Sequence, residues 1–501
     1  MSPLPGRDRR AVLHRAAPGR PSAEDRVVAV VGGGIAGLSA ATALVERGVR
    51  VVLLERESYL GGRVGGWPIR LADGSSATMN RGFHAFFRQY YNLRALLRRT
   101  DPMLAALTPM RDYPLVHSDG YRDTFQNLPR TPPFNAVAFA LNSPTFTLRD
   151  LTRLNARAAL PLVDVQVPGT YDKLDHVNAE EFLERLRFPR AARHLAFEVF
   201  SRSFFAAPSD LSAAELATMF HLYFLGSSEG LVFDVAADSF PAALWDPLGA
   251  YLAARGAEIH LGATVRTIRP GGARRFVVDD LEVDGVVLAA DVTGLRSLVS
   301  ASPALGDEPW RARIAGLRTA PPFLVSRLWL DRPVRAGRPG FLGTSGYGPL
   351  DNVSVLNRYE RESRDWAART GGSVVETHGY ALTDVDSARA RLIAELYRVY
   401  PETASARIVD ERHELREDCP LFPPGGFAHR PTVRTPQEGL VLAGDLVRID
   451  LPVALMERAA TTGMHAANLL LRLFGVQGHP LWTVPTSGRW APLRGLADRF
   501  S

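Results

Sequence analysis

Along this chain, short runs of apolar residues are followed by stretches of helical period. The first clear case is VVAVV at 27–31, a five-residue apolar run with the length of a buried strand. A helix-length segment follows from Ile35 to Arg47 and ends at Gly48, and a second apolar run, Val49 to Leu54, stops at Glu55. The far end repeats the pattern: Leu440 to Ala443 reads as a strand, Gly444-Asp445 breaks it, and Pro452 opens a second helix-like run. Between them, Ala257 to Leu261, Thr264 to Ile268 and Leu281 to Asp291 have strand character, with Asp284-Gly285 as a turn before Val286 to Ala290. The region 113–256 reads largely helical, with amphipathic stretches at Ala179 to Leu186 and Ala191 to Phe204. The region 292–435 mixes short strands, turns and one helix near Ser387 to Tyr400. No internal repeat is visible. Strands alternating with helices give an α/β class, and 501 residues exceed what one core ordinarily serves, so two or more domains are expected.

The glycines turn this pattern into chemistry. Gly32 allows a tight turn after the first strand, Gly34 lets backbone approach a pyrophosphate, and Gly37 lets the helix lie close to the sheet. The helix start at Ile35 and Ala36 offers unpaired N–H groups and the positive end of the helix dipole to an anion. Glu55, at the end of the second strand, sits where a carboxylate holds a ribose hydroxyl, with Arg56 beside it. Strand, glycines, helix, strand and acid together form a dinucleotide-binding fingerprint. Gly61-Gly62-Arg63, just beyond, reads either as a second phosphate contact with a forked guanidinium or as a glycine turn with a surface arginine.

These segments resemble the flavoprotein family of amine oxidases, protoporphyrinogen oxidases and carotenoid desaturases. The resemblance rests on Gly61-Gly62-Arg63, on Gly444-Asp445 and on the closing run Met456 to Gly463. It implies a Rossmann-like FAD-binding domain assembled from three chain segments, with an inserted α+β substrate domain. It assigns Gly62 and Arg63 to phosphate, the Val265 region to the adenine, and Gly444 and Asp445 to the ribityl chain. It also places the helix start at Met456 under the flavin, where its dipole stabilises charge on the reduced ring. Arg458 stands where the family often has glycine, and Glu457 is expected to be structural. The expected division is a disordered basic tail at 1–26, cofactor-domain pieces at 27–112, 257–291 and 436–475, substrate-domain inserts at 113–256 and 292–435, and a C-terminal tail at 476–501.

Composition narrows the partners. Net charge is +6, and Lys173 is the only lysine among 59 basic residues, so the basicity reads as arginine usage. No aromatic-plus-basic nucleic-acid module stands out, and an anionic membrane surface fits a basic face better. The first 26 residues carry six arginines and no apolar run, which is not the pattern of a secretory signal. No segment offers about 18 uninterrupted apolar residues, so no span is expected. FNAVAFALNSPTF at 134–146 either dips into one leaflet or packs in the core. Cys419 is the single cysteine, which excludes an intrachain disulfide and cysteine-ligated clusters. It lies in a proline-rich loop, so FAD is expected to be non-covalent.

Aromatic residues cluster at Phe83, Phe86, Phe87, Tyr90 and Tyr91, at Phe197, Phe200, Phe204 and Phe205, and at Phe220, Tyr223 and Phe224. Such spacing usually means core. The run TMNRGFHAFFRQYYNLRALLRRTDP at 78–102, with DYPLV, RTPPFN, SPTFT and MFHLYFLGSSEGLVFDV, resembles a narrower group, the aromatic-carotenoid (isorenieratene or carotene φ-ring) synthases. It covers nearly everything from residue 26 to about 475. What it implies is desaturation of the β-ionone rings of β-carotene with a 1,2-methyl shift, at the inner face of the cell membrane, with the electron acceptor unspecified. His84 is the candidate base. Arg81, Tyr90 and Tyr91 either shape the ring pocket or pack. Arg448 and Asp450 either face the flavin or pair with each other. A linear carotene desaturase or isomerase would share the flavin machinery. A flavin amine oxidase fits poorly, because Lys173 lies in a polar stretch. A non-catalytic carotenoid carrier is the remaining alternative.

Overall fold

A computed structural model describes residues 8–146, 153–189, 192–193 and 204–487. A five-stranded parallel sheet carries one half. Its order is Glu258–Leu261, Arg50–Glu55, Val27–Val31, Gly285–Leu288, Leu440–Leu442, so strands from three distant stretches lie side by side. The Val27–Val31 strand is buried at every position, as the unbroken apolar run requires of a strand covered on both faces. Helices Ile35–Val45 and Leu455–Leu473 cross closely against this sheet. Gly463 makes the crossing possible, because a Cβ there would lie 2.2 Å from the Ala36 carbonyl oxygen. Ser39 Oγ seals it by donating to the Ala460 carbonyl at 2.8 Å.

The other half is built on a seven-stranded sheet, ordered Ile408–Arg416, Phe323–Leu330, Ser373–Gly379, Asn352–Val355, Phe341–Ser345, Leu115–His117, Arg122–Asp123. Phe323–Leu330 pairs antiparallel with both of its neighbours, and Phe341–Ser345 runs parallel to Leu115–His117. The 292–435 region therefore forms most of an extended sheet rather than short scattered strands. Beside the expected helix, Ala388–Val399, which lies within one residue of its expected limits, it carries Val292–Ala301, Glu308–Ala315 and Arg361–Thr370. Short helices, among them Ala179–Arg185 and Ala213–Phe220, fill the 113–256 region. Most of the stretch expected as a helix at 191–204, including Phe197 and Phe200, lies outside the described residues.

Two expectations are corrected. The segment 1–26 is not a loose tail from residue 8 onward: Val12–His14 pairs antiparallel with Leu481–Thr483, and Arg20 exchanges backbone hydrogen bonds with Gly475 and Gln477. Its partner lies over 400 residues away, beyond the reach of local composition. The same pairing orders the beginning of the 476–501 stretch. The run 264–268 is strand only at its end, in Ile268–Pro270; residues 263–267 belong to no strand.

Candidate functional site

The turn between the first strand and helix is set by backbone. Gly32 has φ +110°, where an L side chain is strained, and a Cβ there would meet the Ala289 carbonyl oxygen at 2.5 Å. Gly37 faces back onto the Gly32 carbonyl, so it serves helix-to-strand packing and not the cavity surface. The second glycine turn is stitched to the first: Gly61 N–H donates to the Gly33 carbonyl at 2.8 Å. Gly34 and Gly62 consequently face each other with no side chain between them. Helix Ile35–Val45 starts at Gly34 without a side-chain cap, which leaves its first N–H groups open to an anion. Both glycine turns, Ile35, Ala36, Glu55, Arg56 and Arg63 line one cavity of about 690 Å³.

The acid and the bases around it are pre-oriented. Glu55 Oε2 accepts the Gly33 N–H at 2.5 Å and Oε1 accepts the Glu57 N–H at 2.9 Å, which aims the carboxylate into the cavity. Arg56 reaches Asp291 Oδ2 at 2.6 Å. Arg63 pairs with Asp445 Oδ1 at 2.5 Å; burial works against its charge, and Asp445 outweighs it, so the cation is firmly held. The Gly61-Gly62-Arg63 run is thus part of the cavity wall and not a surface turn. Gly444, Asp445, Leu455 and Met456 close the cavity from the other end of the chain, with Ala263, Thr264 and Val265 beside Glu55 and Arg56. Leu455 has φ +51°, a conformation that costs a bulky residue roughly 1–3 kcal/mol and is typical of functional turns. These features fit a flavin dinucleotide: open helix N–H groups and facing glycines for pyrophosphate, an oriented carboxylate for ribose, and a helix start at Leu455–Met456 for the ring.

Glu457 points away from the cavity. It accepts the Asn92 and Leu93 N–H groups at 2.8 and 3.0 Å and so tethers helix Tyr91–Leu97; burial nonetheless pushes its carboxyl up to about 8. Arg458, where the resembled family often has glycine, anchors a buried ion network. It reaches Glu215 Oε2 at 2.7 Å, and Glu215 Oε1 meets Arg430 at 2.6 Å. Arg448 and Asp450 pair with each other at 3.2 Å and do not line the cavity.

The cavity continues from the glycine cradle into an aromatic chamber. Phe83, Phe87, Phe125, Phe205, Phe233 and Phe341 line it. Phe83 and Phe341 lie 4.2 Å apart between centroids, and Phe83 meets Phe233 edge-on. His84 and Arg81 are in this wall. His84 Nδ1 lies 2.9 Å from the Gly82 carbonyl oxygen and must donate to it, leaving the lone pair on Nε2. Burial pushes His84 down to about 4, so the ring is neutral near pH 7. Arg81 is paired with Asp418. Tyr90 lines the chamber, its hydroxyl 2.6 Å from that of Tyr223. Tyr91 lies outside it, donating to Glu229 at 3.1 Å. Cys419 sits in the wall, nearer the cofactor cradle than its proline-rich loop suggested; burial pushes the thiol up to about 12, so it is no thiolate.

Sequence reasoning missed Asp351, Asn352 and Tyr380, which also line the chamber. One signal was available: Glu376, His378 and Tyr380 alternate in SVVETHGY, and period two places all three on one face of a strand. Among the described residues no group of three or more potential ligands could hold a metal. No described helix is long and apolar enough to cross a membrane.

Comparison with known proteins supports a flavin cofactor. Residues 35–471 match the family model for flavin containing amine oxidoreductases. The chain is 61% identical to the carotenoid phi-ring synthase of Streptomyces griseus, over 98% of this chain and 97% of that one. It is 27% identical to the carotenoid phi-ring synthase of Chlorobaculum tepidum over 92% and 91%. It is 26% identical to a probable zeta-carotene desaturase of Synechococcus elongatus over 89% and 98%. Among solved structures, putrescine oxidase bound to putrescine superposes with TM-score 0.63 at 16% identity, covering 89% of this chain and 99% of that one. Cyclohexylamine oxidase from Brevibacterium oxydans gives 0.63 at 15%, over 90% and 100%. At such identities these two speak for the fold alone.

Proposed function

This chain belongs to the flavin containing amine oxidoreductase family, and from that premise we propose that it converts the β-ionone rings of β-carotene into aromatic φ-rings. It is a flavin-dependent carotenoid oxidoreductase. The carrying observation is the continuity of one cavity from a dinucleotide cradle into a chamber walled by phenylalanine. A hydrocarbon has no hydrogen-bonding group, so shape and apolar contact must position it. A β-ionone ring has a quaternary carbon bearing two methyl groups, so aromatisation requires one methyl to migrate as well as loss of hydrogen.

Bound FAD supplies the two-electron oxidations. The residues of the chain do the rest. Glu55 holds ribose, the open helix start at Ile35 and Ala36 with Arg63 holds phosphate, Gly444 and Asp445 face the ribityl chain, and Val265 the adenine. Asp445 and Arg63 fix each other. The one cysteine in the wall, Cys419, is held as a thiol by burial, which supports non-covalent binding of the flavin. Removing hydride from the ring leaves an allylic cation, the methyl shift moves that cation to the quaternary carbon, proton loss restores neutrality, and a second two-electron oxidation completes the aromatic ring. Aromatic faces stabilise a passing cation by about 2 kcal/mol when water is excluded. Phe83, Phe87 and Phe341 offer such faces, and Arg81, neutralised by Asp418, adds no opposing net charge.

The substrate is dissolved in lipid, and helix Phe134–Asn142 is placed to meet it. Phe134, Val137 and Leu141 point to solvent, 51–60% exposed, at helical spacing. On the inward side Phe139 stacks on Phe125, a cavity-wall residue, at 4.8 Å. This helix is the contact with a membrane surface, and the inner face of the cell membrane is where it acts. Expression in a host that accumulates β-carotene tests the function: an aromatic carotenoid should appear. Unchanged β-carotene, with desaturation when lycopene is supplied, would instead identify a linear desaturase.

A further inference from the structure

A buried polar row stands behind the aromatic chamber. Glu376, His378 and Tyr380 follow one another along strand Ser373–Gly379 and one residue past its end. His378 Nε2 lies 2.8 Å from Glu376 Oε1, and His378 Nδ1 lies 2.6 Å from the Tyr380 hydroxyl. Arg327 grips the other Glu376 oxygen at 2.6 Å through Nη2. Burial opposes the Glu376 charge, but Arg327 and His378 outweigh it and hold the carboxyl at about 2. A carboxylate accepts only, so His378 must donate from Nε2, although the Phe83 N–H also approaches that atom at 3.3 Å. Nδ1 therefore carries the lone pair and accepts from the Tyr380 O–H. Tyr380 is in the cavity wall, and its oxygen takes an N–H from Asn352 Nδ2 at 3.1 Å.

The surroundings hold this row in place. Asp351 Oδ2 accepts the Tyr380 backbone N–H at 2.6 Å. Phe205 sets its ring edge-on against Tyr380 at 4.8 Å, and does so with φ +56°. Asn352 Oδ1 is buried without a hydrogen-bond partner among the described residues. A strained aromatic and an unsatisfied amide at one spot of an apolar cavity mark a functional position.

Resting on the aromatisation reading above, we propose that Tyr380 is the catalytic group that removes the ring proton, with His378 and Glu376 as positioning residues that take up the charge. The C–H bond breaks and its electron pair becomes a ring double bond. The proton passes to Tyr380 Oη while the Tyr380 hydroxyl proton moves to His378 Nδ1. The imidazolium then lies between a phenol and a carboxylate. Bound FAD would supply the oxidant for the preceding hydride loss. His84 is less suited: burial disfavours its charged form, and no carboxylate among the described residues lies in hydrogen-bond reach of its ring, whose Nδ1 is taken by the Gly82 carbonyl.

The test uses purified holoenzyme with β-carotene in detergent micelles. Tyr380→Phe should hold FAD with unchanged visible absorbance and still let substrate bleach the flavin anaerobically. Aromatic product should fall about 100-fold, the usual contribution of a positioned base, and partly oxidised, non-aromatic rings should accumulate. Bleaching and aromatic product falling in parallel, or aromatic product within about threefold of wild type, overturns the proposal. So does an Asp351→Asn variant that gives this product pattern while Tyr380→Phe does not. Should Tyr380→Phe fail to hold FAD, His378→Gln must show the same excess of non-aromatic rings, and a wild-type pattern there refutes the relay. Wild-type enzyme that oxidises lycopene and leaves β-carotene untouched refutes instead the reading on which the proposal rests.

Discussion

The parallel-sheet half and the seven-stranded half solve opposite problems. The first must hold a charged, hydrogen-bonding dinucleotide, and it does so mainly with backbone: facing glycines, open helix N–H groups and one oriented carboxylate. The second must hold a molecule that offers no hydrogen bond, so it works with side chains, aromatic walls and one buried polar row. Backbone recognition ties function to local spacing. Side-chain recognition lets the wall be collected from any part of the chain.

Perturbing each half in turn should separate them. The largest effect is expected at Gly34→Val. A Cβ at Gly34 meets only ordinary van der Waals contact, 3.8 Å from Gly62 Cα, so the fold should survive. The added branches occupy the gap meant for pyrophosphate, and the purified protein should be folded by circular dichroism, colourless and inactive. Glu376→Ala attacks the other half through stability. Removing one partner of a buried pair strands Arg327, which is 2% exposed, and should cost about 3–5 kcal/mol in denaturant unfolding. The sign with pH follows from the depressed carboxyl: the wild-type advantage is full above about pH 4.5 and is lost as pH falls toward about 2.

His84→Ala should act more mildly. His84 lines the chamber but is neutral and bonded to the Gly82 carbonyl, so flavin content should hold and turnover should fall about tenfold or less. A loss matching that of Tyr380→Phe would move the proton-transfer role to His84. The smallest effect belongs to the outer face. Phe134→Ser with Leu141→Ser removes two exposed apolar side chains, each worth about 1.5–3 kcal/mol if fully buried in lipid. Sedimentation with anionic vesicles should drop severalfold, while activity on micellar substrate stays intact.

The same contrast explains what could be read beforehand. The glycine fingerprint, Glu55, Gly62-Arg63 and Gly444-Asp445 were legible because each contact lies within a few residues of its strand. All of them line one cavity except Gly37, whose role is packing. Asn352 and Phe341 were not legible, and Tyr380 only as part of an alternating strand, because contacts between positions far apart in sequence bring this region to Phe83 and His84. Arg458 is a similar case: its partner Glu215 lies 243 positions away, so the buried ion pair is invisible to any window. The pairing of Val12–His14 with Leu481–Thr483 escaped notice for the same reason.

A flavin held against a cyclic hydrocarbon in one cavity has a direct optical signature. Anaerobic titration of the purified holoenzyme with β-carotene, following the flavin's visible absorbance, tests it most directly. The account predicts bleaching by β-carotene and none by putrescine. A flavin that putrescine bleaches and β-carotene leaves oxidised, or protein that stays colourless after reconstitution with FAD, would contradict it.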